Sequence, residues 1–190
     1  YMNNFLIIPR ENNVYINGSI YNCPTNITQE KYVLDLYKKY NINFGRYLDC
    51  ECCIVIVDGD NIITYRDLFG TRALFLVLDP FTLCTEYTPL KKIGKIISLP
   101  PNKTSIYHLK TRKLLDSVQN YNLLYIPFKK TYDDWIKSFK NSILKRIHPI
   151  DKIFVDLSSG YDTGLIFNEI CKVDNSFLGI SISNNERVDI

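Results

Sequence analysis

A serine- and glycine-rich segment near residue 160 carries the clearest chemical signal in the sequence. An apolar run at 153–157 leads into Ser-Ser-Gly-Tyr-Asp-Thr at 158–163, and a second apolar stretch follows Gly164. This pattern predicts a buried strand of parallel type, a short loop and the start of a helix. At such a junction free backbone N–H groups and the positive end of the helix dipole converge, and both favour a phosphate group.

The side chains of this segment suit a phosphate and a divalent cation. The hydroxyl groups of Ser158, Ser159 and Thr163 can donate hydrogen bonds, and Gly160 allows the backbone to come close. Asp162 could hold a magnesium ion or its water shell. Because no lysine follows the glycine, the segment is not a Walker A loop. A serine-rich helix cap without any ligand is the alternative interpretation.

The composition indicates a globular protein. The 190 residues include 23 Lys and Arg against 20 Asp and Glu, a net charge of +3, and 46% of the residues are apolar. The apolar content is ample for a core, which excludes a disordered chain. The charge is too small and too evenly spread for a nucleic-acid footprint. Since no apolar run reaches the roughly 20 residues needed to cross a bilayer, we expect neither a nucleic-acid nor a membrane partner.

The six cysteines do not have the spacing of a secreted disulfide scaffold, and no signal peptide precedes them. We therefore expect a cytoplasmic protein. Cys50, Cys52 and Cys53 lie beside an apolar run and are interpreted as small fillers of a buried strand, with a metal or redox role as the alternative. Cys84 and Cys171 are interpreted as core residues.

Short extended segments dominate the first 125 residues. Asn17-Gly18, between strand-forming residues, predicts a turn, and the runs 54–57 and 62–65 around Asp58-Gly59 predict a hairpin. Residues 29–40 place their apolar positions on one helical face and predict a helix. Further strands are expected at 74–78, 81–86, 96–99 and 106–109.

A second amphipathic helix is predicted over residues 132–147. Thr131 and Asp134 form a capping pattern, apolar residues follow at spacings of three and four, and lysines are interleaved. The helix is expected to end at His148-Pro149. We interpret its basic residues as a solvated face, with a neighbouring polyphosphate as the alternative.

Four segments, in order along the chain, resemble motifs of the asparagine synthetase family. Residues 17–22, Asn-Gly-Ser-Ile-Tyr-Asn, resemble N-G-E-I-Y-N, and residues 66–72, Arg-Asp-Leu-Phe-Gly-Thr-Arg, resemble R-D-x-F-G-x-K/R. Residues 98–102 resemble the L-P-P-G turn, and residues 157–163 resemble the L-S-G-G-x-D-S pyrophosphatase loop. The helix over 132–147 matches the position of the family's linker helix.

This resemblance implies an α/β fold in three parts. Residues 1–125 would form a truncated class II glutamine amidotransferase-like domain, an α+β region of antiparallel strands. Residues 126–150 would form a linker helix, and residues 151–190 would begin a parallel βαβ, nucleotide α-hydrolase-like ATP-pyrophosphatase domain. The second strand of that domain is expected within residues 176–182. The implied function is that of an ATP-dependent amide ligase, in which ammonia from glutamine attacks a β-aspartyl-AMP.

The resemblance also implies cofactors, substrates and site residues. Asn17 and the backbone N–H of Gly18 would form an oxyanion hole. ATP and magnesium would be the cofactors, with Asp162 as the metal ligand. The substrates would be an aspartate-like carboxylate and glutamine or ammonia, and a homo-oligomer or a partner chain could complete the synthetase domain. The residues implied in ATP and pyrophosphate binding are Leu157, Ser158, Ser159, Gly160, Asp162 and Thr163.

Several positions depart from the family pattern. The family's nucleophile is an N-terminal Cys whose α-amino group serves as base, and no Cys precedes Cys23. Ser19 stands where the family has Glu, and Gln29 stands where it has an Asp that grips the substrate amino group. The Cβ of Ser159, in place of a glycine, could crowd a phosphate. We therefore expect no glutamine hydrolysis by this chain alone.

Three hypotheses follow from the resemblance and its departures. The first is an asparagine synthetase-like ligase, seen as a fragment or a shortened version. The second is a relative such as the β-lactam synthetases or lasso-peptide cyclases, which lack the Cys and adenylate another carboxylate. The third is a catalytically inactive family member that acts as a structural or interaction protein.

Overall fold

The computed structural model describes residues 6–7, 13–126, 128–147, 153–173 and 176–181. They belong to two compact units, Tyr1–Leu124 and Tyr125–Ile190. The first unit contains β1 (Leu6–Ile7), β2 (Val14–Ile20), α1 (Gln29–Tyr40), β3 (Cys50–Asp58), β4 (Asn61–Arg66), β5 (Phe75–Val77), β6 (Thr82–Cys84), β7 (Ile96–Ser98), β8 (Lys103–His108) and β9 (Lys113–Gln119), with 3-10 helices at Asn41–Tyr47 and Thr88–Lys92. The second unit contains α2 (Asp133–Arg146), β10 (Phe154–Asp156), α3 (Tyr161–Cys171) and β11 (Leu178–Ile180).

The first unit is built around a five-stranded antiparallel sheet in the order β2-β3-β4-β8-β9. Its strand β3 is buried from Cys52 to Val57, because both faces of the sheet are covered. On one face Val55 and Ile62 pack against Leu76 of the second sheet, which has the order β1-β6-β5-β7. The opposite face packs against α1 and the first 3-10 helix. The core therefore lies in two layers on either side of β3.

Helix α1 covers that opposite face, and interactions common at helix termini stabilise both of its ends. The hydroxyl of Thr28 accepts a hydrogen bond from the N–H of Lys31 at 3.2 Å, which caps the first turn. Lys38 and Lys39 lie in the last turn, where positive charge is favourable. Val33, on the inner face, is fully buried and fixes the helix on the sheet.

The second unit contains one parallel strand pair and two helices. Strands β10 and β11 are parallel, with Phe154 opposite Leu178 and Val155 opposite Gly179. Helix α3 connects them, and a Cβ at Gly179 would lie 3.3 Å from the Phe167 ring, so α3 packs closely on that face. On the other face Phe154 and Leu178 are 65% and 63% exposed.

The architecture is a mixed α/β fold with two antiparallel sheets and one small parallel pair. The predicted helix over 29–40 and the predicted hairpin are confirmed, the latter as β3 and β4 around Gly59 at a φ of +59°. The predicted second strand of the βαβ unit is confirmed as β11. Among the described residues, no helix combines the length and the apolar character needed to cross a bilayer.

The predicted turn at Asn17-Gly18 is wrong. Both residues lie inside β2, which pairs without interruption with β3, Asn17 opposite Cys53 and Gly18 opposite Cys52. The strand accommodates Gly18 at a φ of +119°, a conformation that glycine adopts without a side-chain clash. The dipeptide therefore does contain a residue with positive φ, but this residue lies within an irregular strand and not in a hairpin turn.

Three smaller expectations also require correction. The N-cap of α2 is Tyr132, without a side-chain cap bond, so Thr131 does not cap the helix as predicted. Cys171, the last residue of α3, is exposed rather than in the core. Strand β10 is not buried, because the described residues cover only one of its faces. The C-cap of α2 is Ile147, in agreement with the predicted helix over 132–147, and the predicted stop at His148-Pro149 lies outside the described residues.

Of the cysteines interpreted as fillers, Cys52 and Cys53 are fully buried in β3, as expected, and Cys84 is buried in β6. Cys50, at the start of β3, is partly exposed.

Candidate functional site

The loop between β10 and α3 is held by hydroxyl contacts within itself. The Thr163 hydroxyl lies 3.0 Å from the Ser158 hydroxyl and accepts a hydrogen bond from the Ser158 N–H at 3.3 Å. The Ser158 hydroxyl in turn accepts from the N–H of Gly160 at 3.3 Å. At the strand end, the N–H of Leu157 donates to the Ile180 carbonyl at 2.7 Å and joins the loop to β11. The two hydroxyls thus act as a scaffold instead of pointing outward.

The helix begins earlier than the sequence pattern predicts. Gly160 is its N-cap and Tyr161 its first residue, so Asp162 and Thr163 belong to the first turn. The backbone N–H groups of that turn have no partner within the helix. They face the same end as the exposed Ser159 and Asp162 side chains, and Tyr161 is 97% exposed. This geometry offers a small anion two or three backbone donors at the positive end of a helix dipole.

The loop also has the features that a close phosphate needs. Gly160 has a φ of −77°, which any residue can adopt, and a Cβ there would lie 3.2 Å from the Ser158 hydroxyl, a tight contact with a side chain that can shift. Asp162 places a carboxylate beside the same donors. Its negative charge stabilises the helix start but repels a bare phosphate, unless a cation lies between them.

No cluster of three or more His, Cys, Asp or Glu side chains that could hold a metal ion occurs within the described ranges. A metal ion at Asp162 would therefore have a single carboxylate ligand and not a protein cage. Magnesium in nucleotide sites is commonly held in this way, by one or two carboxylates together with phosphate oxygens and water.

The second candidate pair, Asn17 and Gly18, lies in the first unit on the outer strand of the five-stranded sheet. The N–H of Tyr21 donates to the Asp49 carbonyl at 2.8 Å, and hydrogen-bonded pairs alternate along an antiparallel ladder. Asn17 and Cys53 are therefore a hydrogen-bonded pair. Because the peptide is planar and trans, the N–H of Gly18 then points away from β3, off the open side of the sheet.

This placement leaves the Gly18 N–H available to an oxygen atom beyond the sheet edge. The Asn17 side chain, by contrast, is only 3% exposed and shares its sheet face with Cys53. Gly18 is also tightly fitted, since a Cβ would lie 2.0 Å from the Glu51 carbonyl oxygen. Of the two family positions that depart in type, Ser19 is exposed and Gln29 is the first residue of α1.

Cys53 is the thiol that lies beside Asn17, and its surroundings make it unreactive. Its Sγ donates to the Ala73 carbonyl at 3.5 Å, and the residue has no exposed surface. Burial raises the pKa of Cys53 to about 12, because a thiolate would lose its hydration, although the nearby Arg66 guanidinium opposes that shift. Cys53 is therefore a structural thiol and not a replacement nucleophile.

We expect Cys53 to resist alkylation in the folded chain. With a pKa near 12, only about one molecule in 10⁴ carries the thiolate at pH 8. Iodoacetamide at pH 8, followed by peptide mass spectrometry, should label the exposed Cys171 first and leave Cys53 unmodified until urea unfolds the first unit. Labelling of Cys53 at a rate similar to that of Cys171 in the native protein would contradict this assignment.

The segment 66–72 forms a rigid loop whose geometry the motif alone does not reveal. The Asp67 carboxylate, 2% exposed, accepts from the backbone N–H groups of Phe69 and Thr71 at 3.0 and 3.1 Å and from the Thr71 hydroxyl at 2.5 Å. The Asp67 carbonyl accepts from the N–H of Gly70 at 3.1 Å and from the N–H of Asn102 at 2.8 Å. The loop is therefore fixed both internally and from residue 102.

The Arg66 guanidinium closes the same loop from its other side. Its Nε donates to the Arg72 carbonyl at 2.8 Å, its Nη2 to the Gly70 carbonyl at 2.9 Å, and its Nη1 to the Leu99 carbonyl. The segments 66–72 and 98–102, which resemble two separate family motifs, are thus parts of one hydrogen-bonded structure. It presents Phe69, 78% exposed, at its tip.

A cavity of about 300 Å³ lies beside this loop. Leu68 and Phe69 line it together with Cys50, Tyr65 and Tyr121. The Cys50 thiol lies 3.3 Å from the Tyr65 hydroxyl. A hydrogen bond with Cys52 lowers the pKa of Cys50, and the same contact, together with burial, raises the pKa of Cys52. Sequence reasoning did not identify this cavity, because its lining comes from segments that are far apart in the chain.

Comparison with known proteins gives one sequence relative and several structural neighbours. The chain is 28% identical over 160 residues to a protein of Methanocaldococcus jannaschii named "Putative asparagine synthetase (glutamine-hydrolyzing) 1", with 70% of this chain and 29% of that protein covered. This chain therefore spans less than a third of that relative's length. No family model matches the chain.

Two solved structures have a TM-score of 0.48 and 13% sequence identity to the chain and cover 95% of it. One is the glutamine phosphoribosylpyrophosphate (PRPP) amidotransferase from B. subtilis complexed with ADP and GMP, of which 49% is covered. The other is described as the allosteric regulatory enzyme of purine biosynthesis, of which 48% is covered.

The protein is a mixed α/β chain in which an antiparallel sheet region is followed by a parallel βαβ unit with a hydroxyl-rich loop. By sequence it is a distant homologue of asparagine synthetases. The resemblance seen in its motifs is confirmed at that level.

Proposed function

We propose that the second unit binds the pyrophosphate part of magnesium-ATP, as a portion of an asparagine synthetase-like ligase that adenylates a carboxylate before amide formation. The observation that carries the proposal is the loop 158–163, which joins a parallel strand to a helix N-terminus and keeps its backbone donors exposed. The distant homology to an asparagine synthetase supports the same assignment.

In this proposal each loop residue has a defined task. The N–H groups of Asp162 and Thr163 bind phosphate oxygens, and Gly160 leaves room for them. Ser158 and Thr163 hold the loop in shape through their mutual hydroxyl contact, and the exposed Ser159 hydroxyl adds a donor. Asp162 holds the magnesium ion, which when bound neutralises phosphate charge and supports departure of pyrophosphate.

The proposal for the first unit is more limited. Asn17 and Gly18 are assigned as oxyanion-hole residues of a glutaminase site, because the Gly18 N–H points off the sheet edge. Cys53 is excluded as nucleophile by its burial and raised pKa. Glutamine or free ammonia would then supply nitrogen to an aspartate-like carboxylate.

Completion of the adenylation site requires further polypeptide beside β10 and β11. Parallel sheets are stable when both faces are covered, and the described residues cover only the face that carries Val155 and Gly179. Phe154 and Leu178 present a bare apolar face opposite. We assign this face to a complementary polypeptide segment.

Calorimetric titration with ATP tests the phosphate loop. Magnesium-ATP should bind with a micromolar dissociation constant, and removal of magnesium with EDTA should weaken binding at least about tenfold, because Asp162 then repels the phosphate. Asp162→Asn should abolish the magnesium dependence. Asp116→Asn, an equal charge change at an exposed position of the other unit, should leave binding unchanged.

The outcomes separate the ligase hypotheses from the structural one. Binding that depends on magnesium and on Asp162 supports an ATP-using enzyme. Absence of binding in a chain with native circular dichroism would make the hydroxyl-rich loop a structural helix cap and favour an interaction protein. Binding that is equal in both variants would place the nucleotide at another site.

A further inference from the structure

An exposed aromatic stripe runs along the first half of α2. Tyr132, Trp135, Ile136 and Phe139 occupy positions i, i+3, i+4 and i+7 and therefore share one side of the helix. Tyr132, Trp135 and Ile136 are 81%, 56% and 43% exposed. The Trp135 and Phe139 rings stack at 5.4 Å with 5° between their planes. The side that a helix normally buries is here presented to solvent.

The stripe differs sharply from its continuation further along the same helix. Ile143, one turn after Phe139, is only 8% exposed, and Ile170 of α3 is 6% exposed. The second half of the apolar side is thus covered within its own unit and the first half is bare. Immediately upstream, Tyr125, Ile126 and Phe128 add further apolar surface, with 68% to 87% exposure.

Positive charge flanks this stripe. Lys137 and Lys140 are exposed, and neither forms an ion pair with any residue the structure describes. Lys129 pairs with Asp134, which neutralises one of the two acidic residues in the first turn. Lysine stems can lie along an apolar surface while their ammonium groups reach outward. The stripe is therefore an apolar, aromatic surface with uncompensated positive charge beside it.

We propose that this face, formed by the stripe with Tyr125, Ile126 and Phe128 and by the lysines beside it, binds the surface of an anionic lipid bilayer, with α2 lying in the interfacial plane. Tryptophan and tyrosine favour the headgroup level, isoleucine and phenylalanine favour the acyl boundary, and lysines pair with anionic headgroups. The charge of the face is complementary to such a surface. The helix lies on the bilayer and does not cross it, in keeping with the absence of a spanning helix among the described residues.

A nucleic acid suits this face less well, and a protein groove leaves part of it unexplained. The stripe joins exposed aliphatic residues to stacked rings, so it matches a continuous apolar boundary better than separate bases. A helix face of this shape also fits an apolar groove of a partner protein, but such a groove does not require the lysines beside the stripe, whereas an anionic surface does. The expectation of no membrane partner rested on the lack of an apolar run long enough to span a bilayer, and interfacial binding does not require one.

Trp135 is the single tryptophan of the chain, so its fluorescence reports on this face directly. The purified full chain is titrated with vesicles of phosphatidylcholine alone and with vesicles containing phosphatidylserine. We expect a blue shift of Trp135 emission, and co-sedimentation of the protein, with the phosphatidylserine vesicles only. Both signals should be lost at high salt, because screening weakens attraction to the headgroups.

Charge-reversal variants test whether the lysines beside the stripe contribute to vesicle binding. Lys137→Glu with Lys140→Glu should weaken vesicle binding by about tenfold or more, since each lysine near such a surface contributes substantially. The matched control, Lys92→Glu with Lys95→Glu, makes an equal charge change at exposed positions of the other unit and should bind as the parent does. Far-UV circular dichroism confirms that both variants fold.

Three results would overturn the proposal. One is equal binding to neutral and anionic vesicles by the parent chain. Another is an equal loss of binding in both double variants, which would indicate an effect of net charge alone. The third is a blue shift that grows with protein concentration in the absence of vesicles, which would assign the stripe to contact between copies of the chain.

Discussion

Gly18→Ala is expected to destabilise the first unit by about 3 kcal/mol. The residue has a φ of +119°, where an L side chain is strained, and the new Cβ would lie 2.0 Å from the Glu51 carbonyl oxygen and 2.8 Å from the Cys52 Cα. Both atoms belong to the backbone of β3, a buried strand, so moving them would disturb the pairing and packing of that strand. Strain and overlap each contribute on the order of 1–2 kcal/mol.

The measurement is urea unfolding followed by circular dichroism, together with hydrogen exchange of the β3 amides as a probe specific to the first unit. Gly59→Ala is the matched control. Gly59 has a φ of +59° but nothing within 4 Å of its Cβ position, so only the backbone strain of about 1 kcal/mol applies. If Gly18→Ala is no more destabilising than this control, the close approach of β2 to β3 at Gly18 is wrong.

Sequence reasoning predicted best the elements whose signals are local. The bounds of α1 follow from apolar positions on one helical face over residues 29–40, a signal that lies within the helix itself. The hairpin of β3 and β4 follows from Asp58-Gly59, whose positive φ belongs to a tight turn. These features depend little on the rest of the chain, so a local pattern is enough to specify them.

At Asn17-Gly18 the pairing with a distant strand, and not the local sequence, determines the backbone structure. The dipeptide tolerates positive φ, and this property is compatible with a hairpin turn or with an irregular strand. Seven consecutive residues, from Val14 to Ile20, pair with β3, and this pairing makes the segment a strand. Since the partner strand β3 begins thirty residues after the end of β2, no short sequence pattern could show which of the two structures the dipeptide adopts.

The second unit was predicted in topology but not in burial. The first strand and the helix follow from apolar runs on either side of the hydroxyl-rich loop, and the second strand follows from the family resemblance of residues 176–182. All three are confirmed by β10, α3 and β11. Burial of β10 was inferred from its composition alone. An apolar composition indicates that a strand needs to be covered on both faces. The exposure of Phe154, however, depends on which residues pack against it.

The structure of the loop 66–72 could not be inferred from its residue types. Asp67 and Arg66 are polar, and the usual expectation for such side chains is a solvated surface. Asp67 is instead buried, and Asn102 contacts it from a segment more than thirty residues away. Asn102 itself bonds to the backbone of Tyr121 through both side-chain atoms, at 2.7 and 2.9 Å. Long-range hydrogen bonds of this kind leave no periodic signal.

Asp67→Ala is expected to destabilise the first unit by about 3 kcal/mol. The substitution removes the acceptor of the Phe69 and Thr71 N–H groups and of the Thr71 hydroxyl, and it leaves them at a buried position without a partner. Hydrogen bonds to a charged group contribute about 1.5–3 kcal/mol each, and relaxation of the loop recovers part of the total. Urea unfolding measures the loss, and the exchange rates of the Phe69 and Thr71 amides should rise even under native conditions.

Two variants decide whether the loss comes from this carboxylate. Asp67→Asn keeps the shape and one acceptor oxygen, so it should lie between the parent and Asp67→Ala. Asp116→Ala removes an exposed carboxylate that accepts from the neighbouring Ser117 N–H at 2.7 Å, and it should change stability by less than about 0.5 kcal/mol. If Asp67→Ala costs no more than Asp116→Ala, the carboxylate does not hold the loop, and Phe69 is not presented by a rigid structure.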